Sequence, residues 1–253
     1  MTLALLVFPL LAFAAEPTRP IPPRSGSVFQ GANVRALEAD EFGNPATLWV
    51  ERGKALWSQP RGEAKASCAQ CHGDVKGMRG VAARYPRFDA KLGRVVNLDG
   101  RIDACVESRQ KAPAMPFESE DRLALTALIA KQSRGLPIEG SIESPATRAL
   151  WEEGRQLYFT RIGQLNLACT NCHDANWGKT ILSETVSQGQ PDGWPAYRLE
   201  WQTMGSLERR LRACFFGVRA EMPAYGSRDF LALETYLAWR ARGLEMSAPA
   251  VRK

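Results

Sequence analysis

The sequence predicts a mostly α-helical protein made of two similar units in tandem. Two observations predict this. The motif Cys-x-x-Cys-His occurs twice, at Cys68–His72 and at Cys169–His173, and the residues around the two copies also match. Segments with helical periodicity flank both copies, whereas few segments alternate polar and apolar residues as strands do.

The repeat extends well beyond the motifs. Ten residues separate an aromatic side chain from the first motif cysteine in each unit. The matched segments are Gly53–Trp57 with Gly154–Tyr158, Tyr85-Pro86 with Trp194-Pro195, and Arg101–Cys105 with Arg210–Cys214. We therefore predict a first unit over 44–137 and a second unit over 138–253, preceded by an irregular, proline-rich arm over 15–43.

Each unit ends in a segment with the pattern of an amphipathic helix, at Asp121–Gly135 and Asp229–Gly243. Ser119 and Ser227 stand where an N-cap residue would, and the final glycine of each segment stands where a helix would end. The two units are thus expected to close in the same way.

The duplicated motif is typical of covalent haem c attachment. Its two thiols add to the haem vinyl groups and its imidazole binds the iron. We predict that Cys68, Cys71, Cys169 and Cys172 attach two haem c groups, with His72 and His173 as iron ligands. A zinc site is the alternative, but the soft ligands would be oddly grouped for one tetrahedral ion. The fold class becomes two tandem cytochrome c-like domains, related by internal duplication, with extended loops.

Each iron needs a further ligand, and no histidine remains to supply it. Cys105 and Cys214 stand 33 and 41 residues after the motif histidines, at matching places in the repeat. Methionines recur in both units as well, so repetition alone does not decide. We favour cysteine thiolate on both irons, because ligation would explain a cysteine at the same position twice, whereas methionines pack well as ordinary core residues. Met115 and Met222, which both precede a proline, are alternative ligands, and a Cys105–Cys214 disulfide is an alternative use of the thiols.

The N-terminus indicates export. An apolar run too short to span a bilayer ends in Ala12-Phe13-Ala14, which predicts a signal peptide over 1–14 and a periplasmic protein. The usual positive charges before the run are missing, and an uncleaved anchor is the alternative. No later stretch is apolar enough to span a membrane. The net charge of +6 favours an anionic substrate or acidic partner, and no nucleic-acid motif is present.

Two Cys-x-x-Cys-His motifs, each followed by Arg-[Ile/Leu]-x-Ala-Cys and a closing helix, resemble the dihaem A subunit of the SoxAX cytochrome. The resemblance covers the chain from Pro45 to Gly243. It implies the catalytic subunit of an L-cysteine S-thiosulfotransferase, which conjugates thiosulfate to a cysteine of a carrier protein.

By position, the resemblance implies His72 and Cys105 as ligands of the first iron, and His173 and Cys214 as ligands of the second. Cys214 would carry an extra sulfur as a persulfide, and Arg210 would lie in the active site. The implied partners are a monohaem SoxX-like subunit that forms a heterodimer and takes electrons, a SoxYZ-like sulfur carrier protein, and thiosulfate.

Two rival functions share the haem motifs. If Met222 ligates the second iron, the chain is more similar to a dihaem thiosulfate dehydrogenase. A non-enzymatic periplasmic electron carrier needs no substrate-binding arginine at all. Arg101, which stands where Arg210 stands in the repeat, is expected to have a structural role or to pair with a haem propionate.

Overall fold

Helices make up most of the regular secondary structure, as the periodicity predicts. The structure is a computed structural model that describes Arg19 and residues 21–253, so the predicted signal peptide lies outside the described residues. The α-helices are α1 Ala32–Ala39, α2 Ala46–Ser58, α3 Cys68–His72, α4 Leu98–Cys105, α5 Glu120–Lys131, α6 Pro145–Phe159, α7 Cys169–His173, α8 Leu207–Gly217 and α9 Arg228–Arg240. Short 3-10 turns and one π-helical turn, Val106–Gln110, join them.

The strands are short and form three small sheets. They are β1 Arg87–Asp89, β2 Arg94–Val96, β3 Thr180–Ile181, β4 Glu184–Thr185, β5 Ala196–Arg198, β6 Thr203–Gly205 and β7 Ala250–Arg252. Strands β1 and β2 pair antiparallel, as do β3 and β4. Strand β5 is central in the third sheet, antiparallel to β6 and parallel to β7.

The same elements recur in the same order in the two units. The first unit runs α2, α3, the hairpin β1–β2, α4 and α5, and the second runs α6, α7, the hairpin β5–β6, α8 and α9. In each unit the opening helix packs on the closing helix, α2 on α5 and α6 on α9. Gly53 and Gly154 make this possible, because a Cβ there would lie 2.4 Å and 1.9 Å from carbonyl oxygens of the closing helices.

The predicted N-caps of the closing helices are present. The hydroxyl of Ser119 accepts a hydrogen bond from the Arg122 amide, and that of Ser227 accepts one from the Phe230 amide. The predicted ends are wrong. Each helix stops at Lys131 or Arg240, and a further turn precedes the left-handed glycine.

The closing helices are also not amphipathic, contrary to the prediction. Every residue of α5 from Arg122 to Ala130 is buried, and α9 is buried from Ala232 to Arg240. Each helix lies between the opening helix of its own unit and other parts of the chain, so no face is left to solvent. Polar residues on these helices are therefore paired internally rather than hydrated.

Buried polar contacts cross from one unit to the other. Asn97 Nδ2 donates to Glu234 Oε2 at 2.8 Å, and the Ser206 amide donates to Glu118 Oε2 at 3.3 Å. The rings of Phe117 and Tyr225 stack at 5.9 Å. Burial raises the pKa of Glu234 well above its ordinary value, and neighbouring carboxyl groups add to the effect.

The arm is partly regular, which corrects the prediction of an irregular segment. It contains the 3-10 turn Gly26–Phe29 and helix α1, which packs on β7. Glu38 of α1 accepts a hydrogen bond from the Val251 amide at 3.1 Å and pairs with Arg252. The arm therefore reaches across the chain to the second unit, where these contacts fix its helix.

Within the described residues, none of the helices has the length and apolar character needed to cross a membrane.

Candidate active site at the second Cys-x-x-Cys-His motif

Helix α7 presents the second motif as a single helical turn. Cys169, Cys172 and His173 stand at positions i, i+3 and i+4, which places their side chains on one face. The Asn171 side chain accepts a hydrogen bond from the Ala168 amide at 2.8 Å and fixes the start of the turn. This arrangement suits two thioether bonds and one axial imidazole on a single porphyrin.

The imidazole of His173 is oriented by the loop that follows the motif. Its Nδ1 lies 2.8 Å from the Ser187 carbonyl oxygen, so Nδ1 carries the proton and Nε2 keeps its lone pair for a metal. Gly189 lies against the ring, and a Cβ there would be 3.0 Å from Cγ and Nδ1. Because only a glycine leaves this space, the loop fits an axial histidine closely.

Arg240 of helix α9 ties this loop to the motif. Its Nη1 donates to the Gln188 carbonyl at 3.1 Å and its Nη2 donates to Asp174 Oδ1 at 2.5 Å. Its guanidinium also lies 4.5 Å from the centre of the Tyr158 ring. The side chain is 2% exposed, so these contacts are made away from bulk water.

Cys214, in helix α8, lies beside His173. Burial raises the pKa of the Cys214 thiol, but Arg210, the neighbouring His173 and the charge of Arg198 outweigh it, and the pKa falls to about 7. Because Nδ1 donates a hydrogen bond to the Ser187 carbonyl, Nε2 is the ring nitrogen left to contact the Cys214 sulfur or to bind iron.

The Cys214 sulfur also affects the pKa values of the two motif cysteines. Burial raises the pKa of Cys169 to about 12, and the nearby Cys214 adds to the effect. Burial and Cys214 also raise the pKa of Cys172. The structure therefore brings together Cys169, Cys172, His173 and Cys214, and Arg210 acts electrostatically on the last of them.

The first motif forms a second centre, which is surrounded by different side chains. The Ser67 hydroxyl and the Gln70 side chain cap helix α3 reciprocally, and Trp57 Nε1 donates to the Gly73 carbonyl at 2.9 Å. Cys105 lies near Cys68, whose pKa is raised by burial and by that neighbour. Arg101 Nη1 lies 3.3 Å from Cys105 Sγ.

The two methionines that are alternative iron ligands, Met115 and Met222, have different surroundings. Met115 is buried and its sulfur accepts a hydrogen bond from Arg61 Nη1 at 3.2 Å, whereas Met222 is 40% exposed. No contact in the described part of the chain joins either methionine to a motif histidine. All six cysteines are free, so the alternative Cys105–Cys214 disulfide is not formed. The described residues also hold no cluster of three side chains suited to zinc.

The family-level comparisons agree with this geometry. The family model described as SoxA/TsdA, cytochrome c domain, matches residues 52–138. The L-cysteine S-thiosulfotransferase subunit SoxA of Pseudaminobacter salicylatoxidans is 43% identical over 230 residues, which cover 90% of this chain and 80% of that protein. The chain belongs to the SoxA family. The SoxA subunit of Paracoccus pantotrophus is 38% identical, over 90% of this chain and 78% of that one.

A solved structure also resembles this SoxA-family chain. The crystal structure of SoxXA from P. pantotrophus matches with a TM-score of 0.87 and 38% identity, over 90% of this chain and 86% of that one. The fold is thus helix-rich and cytochrome c-like, and haem c is the cofactor that the family domain implies.

Several residues of the site escaped the sequence analysis of this SoxA-family chain. Ser187, Gly189 and Arg240 carry no motif, because their roles depend on a loop conformation that only the fold defines. Arg198 could have been found, since it stands four residues after Trp194, where the first unit has Asp89 four residues after Tyr85. Two other arginines of helix α8, Arg209 and Arg212, lie over the rings of Trp201 and Tyr225.

Proposed function

We propose that this chain is the catalytic dihaem subunit of an L-cysteine S-thiosulfotransferase, which joins thiosulfate oxidatively to a cysteine of a carrier protein. The observation that carries the proposal is the placement of Cys214. Burial raises the pKa of its thiol, but Arg210 and His173 nearby lower that pKa to about 7, and Arg210 has no ion-pair partner in the described part of the chain. A thiol and an uncompensated cation are what a sulfur anion needs at its point of reaction.

Two haem groups are proposed, one for each unit. The recurrence of the same helices and hairpins in the same order supports two tandem cytochrome c-like domains that arose by duplication, over 44–137 and 138–253. Cys68, Cys71, His72 and Cys105 would hold the first haem.

The equivalent residues of the second unit, Cys169, Cys172, His173 and Cys214, would hold the second haem. Both donor sets, two thiols and an imidazole on one helical turn, fit haem c. When bound, the haems would accept, one at a time, the two electrons that the reaction releases.

The residues around Cys214 would bind and orient the substrate. Thiosulfate is a dianion, and Arg210 would hold its sulfonate oxygens through paired donors while the outer sulfur points at Cys214. Formation of the sulfur–sulfur bond between them releases two electrons and leaves a Cys214–S–S–SO₃⁻ adduct. With a persulfide on Cys214, the same bond would form at its terminal sulfur.

The second step is an exchange with the carrier. The thiolate of a carrier cysteine attacks the sulfur atom that is joined to the Cys214 sulfur. The carrier takes over the S–SO₃⁻ group, and the Cys214 thiolate leaves. The carrier cysteine loses one proton, so the overall reaction releases two electrons and one proton. Cys214 must therefore be reachable from solvent, and the structure leaves it only partly buried.

Partners and location follow from the same chemistry. The electrons need an acceptor, and the crystal structure of SoxXA contains a related subunit with its partner, which supports a SoxX-like monohaem subunit bound to this chain. A SoxYZ-like protein would be the sulfur carrier. Covalent haem attachment and the apolar leader over 1–14 support a periplasmic location.

The test compares the two equivalent cysteines in the haem-loaded heterodimer. Cys214→Met should keep both haems attached and abolish formation of the carrier conjugate, because methionine cannot form the sulfur–sulfur bond. Cys105→Met, the matched change in the first unit, should leave most of the conjugation activity. Mass spectrometry of the intact proteins measures both haem content and the conjugate. Conjugation by Cys214→Met would refute the assignment, and release of tetrathionate instead of a conjugate would indicate a thiosulfate dehydrogenase.

A further inference from the structure

Asp89 and Arg198 occupy the same place in the two units. In the first hairpin Asp89 pairs with Arg94, and in the second Arg198 pairs with Thr203, each at the end of its strand. Each stands twelve residues before an arginine that precedes the ligand-candidate cysteine, Arg101 or Arg210. A carboxylate in one unit is thus replaced by a guanidinium in the other.

The exchange reverses the electrostatics around the arginine. In the first unit Arg101 Nε lies 3.1 Å from Asp89 Oδ2, and the two side chains are 31% and 15% exposed, so the charge of Arg101 is compensated. In the second unit Arg210 has no carboxylate partner among the described residues. Instead a second cation lies near it, because burial is the first cause and the charge of Arg210 the second cause of the lowered pKa of Arg198.

Arg198 has several partners in the protein, but one of its hydrogen-bond donors is unpaired. Its side chain is 3% exposed, and its Nη2 donates to Glu184 at 2.9 Å and to Glu200 at 2.6 Å. Its guanidinium lies 5.0 Å from the centre of the Trp201 ring. Its Nε is buried and has no hydrogen-bond partner. A buried charged donor without a partner is costly, which indicates that an acceptor arrives from outside the chain.

Arg198 lowers the pKa of Cys214 although two glutamates pair with it. Glu184 and Glu200 are 37% and 62% exposed, so solvent screens them, whereas the positive charge of Arg198 still acts on Cys214. The Arg198 guanidinium therefore pairs with two partly hydrated carboxylates and also lies near enough to Arg210 and Cys214 for their charges to affect its pKa.

We propose that Arg198 is a second anion-binding residue of this centre, and that the Asp89-to-Arg198 exchange confines dianion binding to the second unit. The Nε of Arg198 and the guanidinium of Arg210 would hold different sulfonate oxygens of the same substrate. Arg198 offers an unpaired buried donor and Arg210 a charge without a carboxylate partner, whereas in the Cys105 centre Arg101 is already paired with Asp89. The identity of the dianion as thiosulfate rests on the proposed function.

The experiment measures anion binding, without carrier protein, to the haem-loaded heterodimer. Isothermal titration calorimetry follows thiosulfate binding to the reduced protein, in which the oxidative step is blocked, and sulfate serves as an inert dianion. Arg198→Gln should weaken binding of both roughly 10- to 100-fold, the loss typical of one charged hydrogen-bonding group. Arg198→Lys should lie between wild type and Arg198→Gln, since it keeps the charge but loses the planar donors. Arg87→Gln, which removes an exposed cation of the first unit, should bind as wild type.

A merely structural role would give a different pattern. In that case Arg198→Gln would lose haem or thermal stability, and Arg198→Lys and Arg198→Gln would bind dianions equally. Wild-type affinity in a haem-loaded Arg198→Gln protein would overturn the proposal. In turnover, the Michaelis constant for thiosulfate should rise more than the turnover number falls. If the wild-type complex forms no conjugate at all, the proposed function fails, while dianion binding still tests Arg198.

Discussion

The two Cys-x-x-Cys-His centres are built on the same elements and differ in what surrounds their second sulfur. Both have a one-turn helix, an opening and closing helix pair and a two-stranded hairpin. In the first centre Arg101 forms an ion pair with Asp89 and contacts Cys105, whereas in the second the charges of Arg210 and Arg198 both lower the pKa of Cys214, and Arg210 has no ion pair among the described residues. One scaffold can therefore hold similar groups at two places and leave only one of them attractive to an anion.

The segments around the motifs differ as well. Twelve residues separate His72 from Tyr85, whereas twenty separate His173 from Trp194. The longer segment contains the hairpin β3–β4 and Ser187, whose carbonyl orients His173. No described hydrogen bond orients His72 in this way. The second centre thus combines an oriented imidazole with an arginine, Arg210, that has no carboxylate partner among the described residues, and the first centre has neither feature.

The comparison is tested most severely by the equivalent arginines. Arg210→Gln should lower kcat/KM for thiosulfate roughly 100- to 1000-fold, as loss of a preorganised donor to a developing charge does. Arg101→Gln should have little effect on conjugation, because its charge is already compensated by Asp89. Steady-state conjugation kinetics on the heterodimer measure both. Equal losses in the two variants would show that the centres are not functionally distinct.

A smaller effect is expected from the glycines of the helix crossings. Gly154→Ala should destabilise the fold by about 1–3 kcal/mol and lower the melting temperature by about 2–4 °C per kcal/mol, because its Cβ would overlap the Ala232 carbonyl. Gly53→Ala should cost less, since its Cβ would lie 2.4 Å rather than 1.9 Å from the nearest carbonyl oxygen. Circular dichroism during heating measures both. Gln156→Ala, on an exposed face of α6, is the control and should change little.

The smallest expected effect is the same in both units. Ser119→Ala and Ser227→Ala should each destabilise by about 1 kcal/mol, because each removes the acceptor for the first-turn amides of a closing helix. Ser119→Asp and Ser227→Asp should retain most of the stability, since they keep an acceptor. Denaturant unfolding measures the differences. A loss in only one unit would indicate that the two closing helices are not equivalent parts of the fold.

Local signals were sufficient for much of this structure. The N-caps, the motif turns and the helix pairs were predictable because each depends on residues close in sequence or on a repeat. The helix ends at Lys131 and Arg240 were not, since an extra turn delays the left-handed glycine. Burial of α5 and α9 on all sides was also hidden, because it depends on contacts distant in sequence.

The site was only partly predictable, for a related reason. Cys214 could be selected as a candidate from its place in the repeat, whereas the role of Arg210 followed only from the resemblance to the SoxAX family. The compensation of Arg101 by Asp89 could not be predicted, since it depends on a hairpin that brings Asp89 of strand β1 to Arg101 of helix α4. The equivalence of Arg198 and Asp89, on which the proposed role of Arg198 depends, becomes visible only when the registers of the two hairpins are compared.

Strand β7 links both ends of the described chain to the strand that bears Arg198. It lies alongside β5, and Glu38 of the arm bonds to Val251 within it. An affinity tag or electrode tether attached after β7 would therefore apply its load to the sheet that bears Arg198 instead of to a loose tail. Surface immobilisation through an exposed first-unit side chain such as Lys91 would leave that sheet unstressed.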